Sequence, residues 1–390
     1  MKFALFTSYA AFISVLIPTR IAEIAPLNKV AILATISTAA FAVTAIAQPL
    51  VGALSDRTRG SLGRRLPWMI VGATVGGLAI GALGGAPSVL LVGLLWTVAQ
   101  LALHGLEVSM DAYLVDAFAP SRRGIAAGVT GFALVAGTAA GALLAASSSA
   151  RPAVASWILA GIIGMSVLLF ALIVRDRAPV PPSPPRRAVL PSFRAAAQVF
   201  AAHPDFAKIL VWRIAYSIAY SVVFAYLLYV LTDLVDVPEA EAARHVAVAT
   251  ALGSVIAAIG AVGGGWLSDH LGRRRMFVLI GNGAIIAGDV LLALRPSTVT
   301  VIVAAGLFGV GLGLSIACGR ALASQLVPNP EGGAAAGLGL LSTAANVGQA
   351  AAPAIGGLVI GLGGYPATFA VSIGGAVIGA LAVGLIRSVR

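Results

Sequence analysis

The chain has 390 residues, of which 59% are apolar and only 10% charged, and its mean hydropathy is +1.00. A soluble domain carries about 25% charged residues, so this chain has too few to coat a water-soluble body of its size; a cytosolic enzyme, a disordered chain and a secreted disulfide scaffold are excluded. Lys and Arg number 25 against 14 Asp and Glu, and the +11 that results would suggest nucleic acid in a soluble protein but is expected of cytoplasmic loops in a membrane protein.

A bilayer core of about 30 Å needs roughly 20 apolar residues per helix. Runs of that kind lie near 4–24, 31–54, 67–85, 88–118, 125–146 and 154–174, and then near 207–232, 245–267, 276–294, 298–326, 334–360 and 367–386. They predict an all-α membrane protein of about twelve transmembrane helices. The first run follows Lys2 as a signal peptide would, but no small-x-small cleavage site follows it, so it reads as a first span. With the N-terminus inside, 18 Lys and Arg fall in inner loops and 5 in outer ones, with Arg213 and Arg320 left inside apolar runs. The positive-inside rule then puts both termini in the cytoplasm of a multi-pass protein of the cell membrane.

Five prolines between Pro179 and Pro185 favour an extended linker. The expected organisation is a first six-helix bundle at 1–174, a basic Pro/Arg-rich linker at 175–206 and a second bundle at 207–390. The bundles read as repeats. GALSDRTRGSLGRR (Gly52–Arg65) follows the second run and GGWLSDHLGRR (Gly264–Arg274) the eighth; Gly63 and Gly272 lie 209 positions apart, Pro120 and Pro328 208. Two such bundles are a parallel-repeat transporter plan, with the solute site near mid-membrane.

In the loops, Gly52 reads as a residue of close helix approach and Asp56 as an acceptor among arginines. With Arg64, Arg65, Asp269, Arg273 and Arg274 they suit a cytoplasmic gate, a latch that forms in one conformation and opens in another; the plainer reading is that the arginines only fix topology. Within the spans, ionisable groups are functional candidates by default. Gln100, His104, Glu107 and Asp111 in the fourth run are spaced 4, 3 and 4, so they share one helix face. Arg213 in the seventh and Arg320 in the tenth lie at a depth similar to the two acids, roughly 9–12 Å inward of mid-helix. Two readings stand: Glu107 and Asp111 bind a proton or Na⁺ with substrate and arginine as competing partners, or the charges form a static network. Tyr216 and Tyr220 follow Arg213 at spacings of 3 and 4 and read as solute-stacking walls or as helix contacts. Asp289 in the ninth run is a third coupling candidate or a paired acid. Asp116 is expected to partner Arg122 or Arg123, and Arg20 with Glu23 reads as an outer gate or an interfacial anchor. Gly137-x-x-x-Gly141 and Gly348 to Gly357 read as close-packing stretches. No metal site is expected, since His104 has no second histidine near it, and no cofactor is implied.

The loop pattern G-x-L-S-D-R-x-x-x-x-x-G-R-R resembles the signature of the major facilitator superfamily, and the fuller LSDRTRGSLGRRLPW is similar to that of its glycoside–cation symporters and sucrose-transporter branch. The resemblance implies that helices one, four, seven and ten line a central cavity, which would set Gln100, His104, Glu107, Asp111, Arg213, Tyr216, Tyr220 and Arg320 around a small-molecule substrate. It departs from the sucrose branch where DAYLVD (Asp111–Asp116) stands in place of the fourth-helix R-A-L-x-x-D. The function expected is secondary transport by alternating access: proton- or Na⁺-coupled symport of a sugar or glycoside, with proton-coupled efflux antiport of a drug-like molecule as the alternative. The fifth helix, GFALVAGTAAGALL, lacks the Gly-Pro signature usual in the superfamily's antiporters. A membrane enzyme is the remote alternative, as no H-E-x-x-H, G-x-S-x-G or G-x-x-x-x-G-K-[ST] is present. The expected partners are the substrate, a proton or Na⁺ and the lipid bilayer, with no nucleic acid, for a monomer.

Overall fold

The structure is a computed structural model of the whole chain, and it describes residues 1–58, 62–118, 122–148, 151–173, 203–327 and 334–387. Among the described residues, twelve helices are long and apolar enough to cross a membrane. In chain order they are α1 (Lys2–Ile24), α2 (Lys29–Arg57), α3 (Leu66–Leu83), α4 (Val89–Ala117), α5 (Arg123–Ser147) and α6 (Pro152–Ile173). Then come α7 (Pro204–Leu234), α8 (Glu239–Leu271), α9 (Arg274–Leu294), α10 (Thr298–Leu326), α11 (Ala334–Gly363) and α12 (Pro366–Gly384). No strand occurs among the described residues.

The helix ends follow from local chemistry. The Ser88 hydroxyl accepts from Leu91 N–H at the start of α4, and Ser297 with Thr300 makes a capping box on α10. Pro67, Pro204 and Pro366 sit in the first turns of α3, α7 and α12, where a missing N–H costs nothing. Gly272 ends α8 with φ +63°, a left-handed cap that glycine adopts without a Cβ penalty.

The chain divides into two compact units, Met1–Ile32 with Ala39–Leu190 and Leu33–Thr38 with Pro191–Arg390. Lipid tails are as apolar as leucine, so helices in a bilayer associate through close packing at small residues. In the first unit α1 lies on α5 because Gly137 and Gly141 let the α1 backbone at Phe3 and Thr7 come within contact; a Cβ at either glycine would strike it. Gly72 and Gly76 do the same for α3 against Ala102, Leu103 and Leu106 of α4. In the second unit Gly309 meets the backbone of Gly253, Gly313 that of Ala257, and Gly348 that of Ile214. The close-packing stretches expected at Gly137–Gly141 and Gly348–Gly357 are therefore found, Gly356 lying against the Tyr226 ring. Gly52 is different. A Cβ there would only touch Val108 at 3.6 Å, an ordinary contact, so the expected close helix approach is not what Gly52 provides.

Three helices carry a π-helical turn: α1 at Phe12–Leu16, α7 at Val230–Leu234 and α10 at Ser315–Gly319. Such single-turn irregularities within α-helices recur at functional sites.

Candidate functional site

The first unit concentrates its membrane-embedded polarity on one line. On α4 the spacing of Trp96, Gln100, His104, Glu107 and Asp111 sets all five on one face, and Lys2, Phe6 and Tyr9 of α1, spaced 4 and 3, form the facing line. Side chains bridge the two helices in antiparallel order. Lys2 Nζ lies 2.9 Å from Glu107 Oε1 and 3.0 Å from Asp111 Oδ1. Its ammonium also stands 5.5 Å from the centre of the Phe6 ring. One turn on, Tyr9 Oη is 2.9 Å from His104 Nδ1, which is also 2.9 Å from the Gln100 carbonyl oxygen. Further along, Phe12 stacks on Trp96 with ring centres 5.9 Å apart. At the far end the Arg20 guanidinium donates to the Ala86 carbonyl at 2.8 Å and pairs with Glu23 at 2.6 Å, which fastens the end of α1 to the α3–α4 turn.

Exposure is graded along this line. The Asp111 side chain is 55% exposed, Glu107 19% and Lys2 11%, whereas Gln100 is fully buried and neither end of its amide has a hydrogen-bond partner among the described residues. The sequence expectation had given Glu107 and Asp111 an arginine. The cation that the structure gives to both is Lys2 of the same unit. In the sequence Lys2 stands out only as the charge before the first apolar run, yet its 4-and-3 spacing with Phe6 and Tyr9 marks a helix face.

The loop arginines also bind within their own unit. Arg64 and Arg65 reach Asp116 Oδ2 at 2.7 and 3.2 Å, and Arg65 donates to Ser55 Oγ at 3.0 Å. Asp116 was expected to pair with Arg122 or Arg123; the Arg123 side chain lies outside the described residues, and the close packing of α3 on α4 through Gly72 and Gly76 brings Arg64 and Arg65 to Asp116. The Asp56 side chain lies outside the described residues. In the second unit Asp269 and Arg274 pair at 2.7 Å around the Gly272 turn. Arg273 is the N-cap residue of α9. Arg275 donates to the Ile386 carbonyl at 2.8 Å and to that of Gly384.

The remaining candidates lie in the second unit. Arg213 on α7 donates to Ser315 Oγ at 3.2 Å, at the π-helical turn of α10. Tyr216 is 2% exposed, its ring tilted against Trp212 one turn earlier on the same helix at 5.7 Å. Tyr220 is half-buried and stacks on Phe224 at 5.8 Å. Arg320 is exposed and makes no ion pair among the described residues. Asp289 is fully buried beside Ser372 of α12 at 2.5 Å. Where α11 meets α12, Tyr365 Oη donates to Asp233 Oδ2 at 2.6 Å; burial first, and then that carboxylate, pushes the phenol well above its ordinary pKa. No group of three or more metal-ligating side chains occurs among the described residues.

The fold is that of solved transporters. A bacterial homologue of the human lysosomal transporter Spinster, in an inward-facing and unoccupied conformation, matches with a TM-score of 0.70 at 16% identity, over 99% of this chain and 92% of that one. The nucleoside transporter NupG matches with a TM-score of 0.77 at 12% identity, over 100% of this chain and 98% of that one. A comparison with curated proteins gives no match. At residues 24–388 the sequence fits the family model described as MFS/sugar transport protein, and the chain, a multi-pass membrane transporter, belongs to that family.

Proposed function

We propose that the chain is a cation-coupled secondary transporter that moves a hydroxyl-rich solute, a sugar or glycoside, by alternating access. Two six-helix halves, 1–174 and 207–390, work about the linker at 175–206, with both termini in the cytoplasm. Glu107 and Asp111 are the cation site. The observation that carries this reading is one ammonium shared by two carboxylates a helical turn apart, graded from exposed to buried. A shared ammonium is replaceable in steps. A proton or Na⁺ arriving at the exposed Asp111 leaves Lys2 wholly to Glu107, and a cation passed on to Glu107 releases Lys2 altogether. Since α1 is fixed on α5 through Gly137 and Gly141 and also meets α4 at Tyr9–His104 and Phe12–Trp96, releasing Lys2 frees the start of α1 from α4 without breaking either helix.

The solute reading rests on donors and acceptors rather than charge. In the first unit Gln100 and His104 of the α4 stripe lie with Tyr9 of the facing line, and in the second, taken by itself, Arg213 is a guanidinium oriented by Ser315. The sugar transport description of the family and the nucleoside transporter among the neighbours point to solutes that carry hydroxyls. The test is counterflow of labelled sugars, glycosides and nucleosides in proteoliposomes, followed by accumulation under an imposed pH or Na⁺ gradient. Inward accumulation of a counterflow substrate down either gradient supports the proposal. Counterflow indifferent to both gradients contradicts coupling, and accumulation only against an opposing proton flux identifies an antiporter. For orientation, a cysteine placed at Ser183 should react from the cytoplasm and one at Ser149 from outside.

A further inference from the structure

Asp289 stands apart from the cation site. It is fully buried on α9, in the second unit, and no Lys, Arg or His lies within ion-pair distance of it among the described residues. Its two oxygens differ. Oδ1 has no hydrogen-bond partner among the described residues, while Oδ2 is 2.5 Å from Ser372 Oγ of α12. The same Ser372 Oγ is 2.8 Å from the Ala219 carbonyl oxygen of α7.

Hydrogen counting decides what this trio holds. A carbonyl oxygen can only accept, and a serine hydroxyl has one hydrogen to give. Ser372 cannot donate to Ala219 and to an ionised Asp289 together, so one of the two short contacts would bring two acceptors face to face. A hydrogen on Asp289 Oδ2 satisfies both: the acid donates to Ser372, and Ser372 donates to Ala219. Electrostatics agrees, because an unpaired carboxylate in an apolar interior costs far more than its neutral form.

The surroundings leave no cation to oppose this. On α12 no ionisable residue lies between Pro366 and Gly384, on α8 none between His245 and Asp269, and on α10 none from Thr298 to Ala317. On α9 itself the nearest cation is Arg295, the exposed C-cap residue six positions away, about 9 Å along the axis and not paired with Asp289, while Arg275 lies 14 positions away in the other direction, about 21 Å. From α7 come Arg213, bound to Ser315 and about 9 Å along the helix from Ala219, and Tyr216, Tyr220 and Tyr226.

We propose that Asp289 is a proton-binding site of the second unit, held as a neutral acid that donates to Ser372 and through it links α9, α12 and α7. Release of the proton to water leaves a carboxylate that takes the Ser372 hydrogen and strips it from Ala219. Proton exchange at Asp289 is therefore tied to separation of α12 from α7. The site does not depend on the identity of the solute or on the role given to Glu107.

Infrared spectroscopy of the full-length protein in proteoliposomes at neutral pH reads the acid directly. The carboxylic-acid C=O stretch of the wild type should contain one band that is lost in Asp289→Asn, shifted in Ser372→Ala and unchanged in Glu107→Gln. The asparagine amide can donate to Ser372 as the neutral acid does, so Asp289→Asn should keep the fold; should it fail to fold, Ser372→Ala alone decides. Wild-type and Asp289→Asn spectra that superimpose in this region, or a band indifferent to Ser372→Ala, would overturn the proposal. A band that behaves as expected in a protein whose transport ignores every gradient would leave this site standing and remove the coupling reading instead.

Discussion

The two units handle membrane-embedded charge in opposite ways. In the first, two carboxylates meet a built-in ammonium on a line that runs from exposed Asp111 to buried Gln100. In the second, Asp289 lies deep in the unit beside a hydroxyl, with no ion-pair partner among the described residues, and Arg213 donates to a serine. An acid with a replaceable cation can exchange its partner without passing through an uncompensated state. An acid sealed behind a hydroxyl can change charge only if its helices part. The first arrangement suits a site that loads and unloads every cycle, the second a site whose protonation follows a conformational change.

Substitutions can break this comparison at different levels. The largest expected effect is on the packing that both arrangements depend on. Gly141→Leu would drive a side chain into the α1 backbone at Thr7, and overpacking of this kind typically costs about 1–3 kcal/mol or more; a lower melting temperature and loss of monodisperse protein should follow. Gly52→Ala, facing open contact, should melt within about 0.5 kcal/mol of the wild type. Equal melting of the two variants would mean that α1 is not fixed on α5.

Lys2→Met tests the replaceable cation. It leaves two acids a turn apart without their ammonium, so half-saturation of transport by the coupling ion should fall by roughly tenfold, about 1.4 kcal/mol. An unchanged ion dependence would make Lys2 a structural residue. Asp116→Asn removes the partner of Arg64 and Arg65, a partly exposed pair for which about 1 kcal/mol is the scale. It should lower the melting temperature slightly and leave ion dependence alone. Tyr9→Phe deletes one hydrogen bond to His104 and should have the smallest effect, about 1 kcal/mol or less of stability.

The sequence showed the twelve spans plainly, because a stretch of some 20 apolar residues has few other uses, and hydropathy reads it directly. The stripe on α4 was equally legible, since helical spacing places Gln100, His104, Glu107 and Asp111 together whatever surrounds them. Their partners were not, because pairing is set by which helices pack together. The Lys2 pairing could not be read from its own neighbourhood in sequence, and the pairing of Asp116 with Arg64 and Arg65 joins residues 52 and 51 positions apart that only the packing of α3 on α4 brings together. The glycine at 52 looked like those at 137 and 141, and only the neighbour it faces separates them. The π-helical turns left no mark in the residue pattern, as they arise where packing forces one extra residue into a turn.

If Glu107 belongs to an exchangeable cation site, Glu107→Gln in proteoliposomes should separate solute exchange from gradient-driven accumulation. A glutamine keeps the size and the hydrogen bonding of the side chain but cannot carry or release a proton. Substrate counterflow should persist within a few-fold of wild type, because exchange requires only binding and the conformational change, while gradient-driven accumulation should fall to the level of empty vesicles. Accumulation at near-normal rates in the same vesicles would contradict the account and move the coupling site away from the Lys2–Glu107–Asp111 cluster.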